Sequence, residues 1–318
     1  MTEPQLSVSL PTYAVEQQPD WSPVFDLARA ADSTGVDRVV MSDHIVFGER
    51  LDEYGKPELG GQAGGTQPTG PDGPWLEPMV TLSVLAGMTS RVRLGTNILA
   101  AALRRPVVLA KAASTLDVLS GGRLDLGVGV GWQREEYEAA GLPFDGRGRL
   151  LDHTLDVLRT LWTEERADHH SDYLDFEAIH QMPKPLQPGG VPVWVSGTIN
   201  PAVIRRLARF GSGWIPWGPD AEDAAAIARM KQAVADAGRD PAGLQVAGRL
   251  PVVRDAAGAV DLDLTMEGVP ALVHAGVTDF RAYLKHPVGV SAIEDALAPV
   301  VSAFRAVAGR PSPVSETG

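Results

Sequence analysis

The sequence has no cysteine, no long apolar run and no excess of basic charge, and each absence closes off a class of function. Without cysteine there is no disulfide framework, no thiolate metal site and no cysteine nucleophile. No stretch approaches the ~20 apolar residues that a membrane-spanning helix requires, so no membrane partner is expected. Lysine and arginine number 28 against 40 aspartates and glutamates, a net charge of −12. A chain this acidic lacks the basic footprint of nonspecific nucleic-acid binding. The opening Met1-Thr2-Glu3-Pro4-Gln5 carries neither a basic region nor an apolar signal core, which predicts a cytoplasmic protein. Motifs are missing too. There is no G-x-S-x-G nucleophile turn, no G-x-G-x-x-G dinucleotide fingerprint, and no H-x-x-x-H or D-x-D cluster at a predicted strand end to hold a metal.

What the 318 residues do contain is alternation. Short apolar runs at 5–10, 38–41, 91–99, 123–130, 191–195, 213–216, 244–250 and 278–284 read as strands. Longer helical patterns separate them, at 23–34, 77–89, 106–119, 149–162, 201–210, 221–237, 265–275 and 291–308. Leu150, Leu151, Leu155, Leu158 and Leu161 show the helical period. Ser22 reads as the N-cap before Pro23 at the first helical position, and Gly35 as the stop. Eight strands in β-then-α order predict an α/β fold, a single (β/α)8 TIM barrel over residues 1–308, with 309–318 as a frayed tail. Two segments break the rhythm. Residues 45–74, rich in Gly, Pro and Gln, are too long for an ordinary connection after strand two and read as a functional lid or a disordered loop. Residues 163–190 form a second insertion before strand five, with a short strand near 173–176 and a Pro-rich stretch at 182–185.

Ser42-Asp43-His44 directly follows the second strand. The carboxyl ends of barrel strands form the ligand-binding face, and His is the side chain whose ordinary pKa lies nearest neutrality. The tripeptide therefore points to proton chemistry, against the plainer reading of a turn-capping Asp and an exposed His. Gly127, Gly129 and Gly131 alternate along the fourth strand and its exit, leaving one face without side chains, so that a planar ring or another backbone can approach. Ser196-Gly197-Thr198 lies before the helix opening near Pro201, where free backbone N–H groups suit a phosphate, or where Thr198 simply caps a turn. His169-His170 sits in a polar insertion without metal-ligand spacing, His153 on an outer helix reads as surface, and His180 could reach the pocket but reads first as outside it. Trp75, Trp132, Trp194, Trp214 and Trp217 divide between pocket lining and core.

These elements, taken in order with the runs at 91–99, 105–111, 115–123, 127–132 and 192–198, resemble the luciferase-like monooxygenase superfamily of flavin and deazaflavin oxidoreductases. The resemblance covers the first two-thirds of the chain well and the last third loosely. It implies a TIM barrel that binds coenzyme F420 (the deazaflavin) or FMN at the strands' carboxyl ends. Ser42-Asp43-His44 resembles the deazaflavin users more than the Glu-His-His pattern of flavin monooxygenases. The resemblance thus implies hydride transfer between the deazaflavin and a small organic substrate. Catalytic roles fall on His44, as proton donor or acceptor, and Asp43, steadying the ring or His44. Cofactor contacts fall on Asp43, Asn97, Ile98, Gly127, Gly129, Gly131, Ser196, Gly197 and Thr198. In deazaflavin-using relatives the peptide at the place of Asn97-Ile98 is often cis and backs the ring; the plainer reading is a strand end capped by Asn97. Relatives that use a sugar phosphate carry a Glu after the fourth strand. A carboxylate there could act as an acid or orient a substrate; here Trp132 intervenes, so Glu135 and Glu136 read first as first-turn carboxylates of a short helix. The alternatives are an FMN-dependent monooxygenase fed by a separate reductase, and a cofactor-binding barrel without turnover. Relatives are often homodimers.

Overall fold

A computed structural model of the chain describes residues 3–256 and 258–309. Ten strands occur among them: β1 (Gln5–Ser9), β2 (Arg38–Met41), β3 (Arg93–Thr96), β4 (Leu124–Val128), β5 (Ala167–His170), β6 (Asp175–Ile179), β7 (Val193–Gly197), β8 (Gly211–Pro216), β9 (Gln245–Arg249) and β10 (Asp279–Ala282). Eight of these, all parallel, close a barrel in the order β1-β2-β3-β4-β7-β8-β9-β10, with β10 pairing back to β1. The register sets Val8 beside Val39, Val39 beside Leu94 and Leu94 beside Leu124. Strands β2 and β4 are buried at every residue, as expected where helices cover a parallel sheet. This is the predicted (β/α)8 barrel. The insertion at 163–190 supplies β5 and β6, an antiparallel hairpin outside the barrel.

The surrounding helices are α1 (Ser22–Thr34), α2 (Pro78–Met88), α3 (Pro106–Leu119), α4 (Arg134–Ala139), α5 (Arg147–Thr163), α6 (Pro201–Phe210), α7 (Ala224–Asp236), α8 (Leu262–Glu267), α9 (Val269–Ala275) and α10 (Val290–Ala308). Helices α1, α2, α3, α6 and α9 each carry Pro at one of their first two positions, where its fixed φ suits the helix and its missing N–H is not needed. Gly35 ends α1 at φ 99°, a left-handed conformation that favours glycine. Three details depart from expectation. Ser22 lies inside α1 rather than capping it, because Asp20 accepts from both its backbone N–H (2.9 Å) and its hydroxyl (2.7 Å). The helix expected at 265–275 is two short helices meeting at Gly268. The strand expected at 91–99 ends at Thr96, and residues 97–99 turn over the end of β4. The expected tail, 309–318, lies outside the described residues except for Gly309. Among the described residues no helix is long and apolar enough to cross a membrane.

The barrel interior is not purely apolar. Arg38, 2% exposed, opens the otherwise apolar β2 and pairs with Asp125 (2.8 Å) and Asp279 (2.7 Å). Arg93 also pairs with Asp125 (2.7 Å), and Arg281 with Asp279 (2.8 Å). Burial alone would lower the pKa of Arg38, but the two carboxylates outweigh it and hold it above the ordinary value. These charges sit toward the amino ends of β2, β3, β4 and β10, and Arg281 carries the network to Asn97 at the end where the strands' carboxyl termini gather.

Candidate active site

Asp43 and His44 leave β2 at that end and engage different partners. Both oxygens of Asp43 are occupied: Arg104 donates to them in a fork (2.7 and 2.9 Å), and the Ala100 N–H adds a third bond (2.9 Å). Arg104 reaches on to Glu77 at 2.7 Å, so Asp43 ties the end of β2 to the turn at 100–104 and to the start of α2. His44 has another carboxylate. Its Nδ1 lies 3.3 Å from Oε2 of Glu136, close enough for charge attraction but without hydrogen-bond alignment. The other oxygen of Glu136 accepts the Ile45 N–H at 2.8 Å. Three rings surround the imidazole: Phe47 (centroids 4.4 Å apart), Trp75 (4.8 Å) and Trp132 (5.9 Å).

The adjoining wall is Asn97-Ile98, whose peptide is cis. The Asn97 N–H donates to Met41 O (2.7 Å), and its side-chain oxygen accepts from Arg281 (2.6 Å). The glycines beside it answer to the second of the two readings, close approach of the neighbouring strand. A Cβ on Gly127 would stand 2.0 Å from the Thr96 carbonyl oxygen, and one on Gly129 would stand 2.7 Å from Cδ1 of Ile98. The side-chain-free face is thus filled by β3 and its exit, so close strand packing accounts for Gly127 and Gly129. Gly127 lies within the barrel wall, while Gly129 and Gly131 border the cavity. Gly131 adopts φ 67°, which glycine alone takes readily.

Ser196 and Gly197 end β7, the strand paired with β4, and with Thr198 they line the same cavity. Gly197 sits at φ 147°, with Val203 where a Cβ would go. The open amides expected at the start of α6 are already engaged: Asn200 Oδ1 accepts from Ala202 (3.0 Å) and Val203 (3.1 Å), and Asp220 accepts from Ile199 (2.7 Å). An Asn before a Pro-led helix is a legible cap; Asp220, from the next strand's exit, is not.

The cavity between these walls measures about 700 Å³, within the size range of small-molecule sites. Residues 45–74 roof it, bringing Tyr54, Gln62 and Gln67 to its lining. The roof is fastened by Trp217 Nε1 donating to Gly61 O (3.1 Å) and Arg147 donating to Leu59 O (2.7 Å). Of the five tryptophans singled out above, Trp75, Trp132 and Trp217 line the cavity, while Trp194 and Trp214 are buried in the barrel. His153, His169, His170 and His180 lie outside the lining. Sequence reading passed over Arg104, Gln67, Asn200 and Arg281, and favoured a helix-terminal role for Glu136 over that of an acid or substrate-orienting group. Two lining donors, Gln67 Nε2 and Trp132 Nε1, are buried without a hydrogen-bond partner among the described residues, so the cavity suits a ligand that brings acceptor oxygens.

Against known proteins, the chain matches the model of the luciferase-like monooxygenases over residues 5–262. The phthiodiolone/phenolphthiodiolone dimycocerosates ketoreductase of Mycobacterium tuberculosis is 32% identical over 235 residues, which is 69% of this chain and 60% of that protein. The coenzyme F420 dependent tetrahydromethanopterin reductase from Methanopyrus kandleri superposes with a TM-score of 0.70 at 16% identity, over 95% of this chain and 99% of that one. The oxygenating constituent of 3,6-diketocamphane monooxygenase from Pseudomonas putida, a type II Baeyer-Villiger enzyme in complex with FMN, gives 0.66 at 15% identity, over 99% of each chain. These two likenesses are of fold.

Proposed function

The chain belongs to the luciferase-like monooxygenase family, and from that premise we propose that it is a coenzyme F420-dependent oxidoreductase acting on a small organic substrate. The observation that carries the proposal is His44, held at the end of β2 in the wall of a cavity of about 700 Å³ with a buried carboxylate behind it. The cavity fits a flavin-type ring by its chemistry. Such rings carry carbonyl oxygens, and the unpartnered Gln67 and Trp132 nitrogens are donors that need acceptors. Asn97, Ile98, Gly129 and Gly131 would hold the ring, and the Ser196 and Thr198 hydroxyls, in place of the capped amides of α6, would hold the phosphate. Gly127 drops out of that set because it lies within the wall.

When bound, the deazaflavin supplies or accepts the hydride. The chain's own residues must then manage the proton and the water. Reduction of a carbonyl needs a proton at its oxygen, and oxidation of an alcohol needs one removed. His44 exchanges that proton at Nε2, as the imidazolium donor in reduction and the neutral Nδ1–H base in oxidation, since Nδ1 faces Glu136. Asp43 acts one step back, fixing the end of β2 through Arg104 and Ala100. The roof at 45–74 excludes water from the reacting atoms. Ser42-Asp43-His44 supports the deazaflavin over FMN, and the ketoreductase relative supports hydride transfer over oxygenation. Anaerobic titration of the protein with each cofactor, followed by visible absorption, tests the choice.

A further inference from the structure

We propose that Glu136 is the positioning residue for His44, selecting its Nδ1–H tautomer so that Nε2 is the nitrogen offered to the substrate. The inference rests on the reading of His44 as the proton-carrying group, and goes beyond it by naming what prepares that group.

Three observations carry it. First, the carboxylate is 2% exposed and the imidazole 11%, so their attraction across 3.3 Å is little screened by water. Second, Glu136 addresses one dipeptide with both oxygens: Oε1 takes the Ile45 N–H at 2.8 Å, and Oε2 faces His44 Nδ1. An ionised carboxylate only accepts hydrogen bonds, so the nitrogen facing it is favoured as the protonated one. Third, Asp43, the neighbouring carboxylate, is unable to take this role, because Arg104 and Ala100 occupy both its oxygens. The placement follows from α4, whose first turn carries Glu135 and Glu136. Glu135 points to Arg50 at 2.5 Å, while Glu136 is buried toward the end of β2. Phe47 and Trp75 pack on the imidazole and limit its rotation.

The replacement Glu136→Gln makes a sharp test. Its amide oxygen can still accept the Ile45 N–H, which turns the NH2 toward His44. A donor facing Nδ1 requires that nitrogen to be an acceptor, so the proton moves to Nε2. In the full chain labelled with 15N-histidine and loaded with the deazaflavin, His44 is assigned by its loss in His44→Ala. Its nitrogen resonances are expected to report the Nδ1–H tautomer in the unmodified protein and Nε2–H in Glu136→Gln. Turnover should fall about 10- to 100-fold, as when carboxylates behind metal-bound imidazoles are removed, with cofactor affinity within about twofold. An Nε2–H tautomer in the unmodified protein overturns the proposal, whatever the variant does. So does a tautomer switch in Glu136→Gln that leaves turnover intact. Failure of the parent reading looks different: His44→Ala would then turn over normally while the tautomer result stood.

Discussion

Asp43 and His44 are adjacent in the chain, yet one builds the site and the other faces the chemistry. Asp43 is locked to Arg104, 61 residues away, and Ile45 beside His44 is held by Glu136, 91 residues away. The tripeptide was legible because it follows a short apolar run, which fixed its place at a strand's carboxyl end. Its partners were not, since nothing local marks which of 28 basic or 40 acidic side chains will reach it. The division of labour yields a prediction at this scale. His44→Ala removes the proton-carrying ring without touching Asp43's fork, so turnover should drop by about 10²–10⁴. Binding of the deazaflavin, measured by absorption titration, should change little. Normal turnover with bound cofactor would remove His44 from the chemistry.

Among the elements, β3, β4 and their exits form the floor of the cavity. The alternation of Gly127, Gly129 and Gly131 announced that something approaches closely, but not what. The answer depends on the register of β3 against β4, a long-range property that one strand's sequence does not contain. Two similar substitutions should therefore behave differently. In Gly129→Ala the new methyl meets the end of the Ile98 side chain, which can swing aside at a cost of about 1–3 kcal/mol. In Gly127→Ala it meets the Thr96 carbonyl oxygen, a backbone atom held in the ladder, so the loss should be larger. Urea unfolding of both variants checks the order, and equal losses would refute it. The roof shows the same limit on legibility: its length marked residues 45–74 as functional, whereas its fastening to Trp217 and Arg147 came only with the fold.

For the whole molecule, βα alternation carried the closed barrel, and the ionic interior lay hidden because Arg38 reads as the polar edge of an apolar strand. Burial alone would raise the pKa of Asp125 and of Asp279, but Arg38, with Arg93 and Arg281, holds both below the ordinary carboxylate value. The unfolded chain then binds more protons than the folded one as pH falls. This stabilisation is complete above the unfolded value of about 3.9 and is lost as pH drops through the lower folded values. Urea midpoints should accordingly decline below about pH 4. Arg38→Met, which leaves two buried carboxylates short of a partner, should cost about 3–5 kcal/mol and flatten or reverse the decline, because carboxylates raised toward or above their unfolded value favour the folded state on protonation. A variant midpoint that tracks the unmodified protein would contradict the account. The central claim, that this barrel works with a deazaflavin, is met most directly by anaerobic absorption titration with coenzyme F420 and with FMN, followed by addition of a ketone to the reduced complex. The account predicts saturable, stoichiometric binding of the deazaflavin and return of its oxidised absorption when a ketone substrate is added. Tight binding of FMN with oxygen-dependent turnover, and no binding of the deazaflavin, would contradict it.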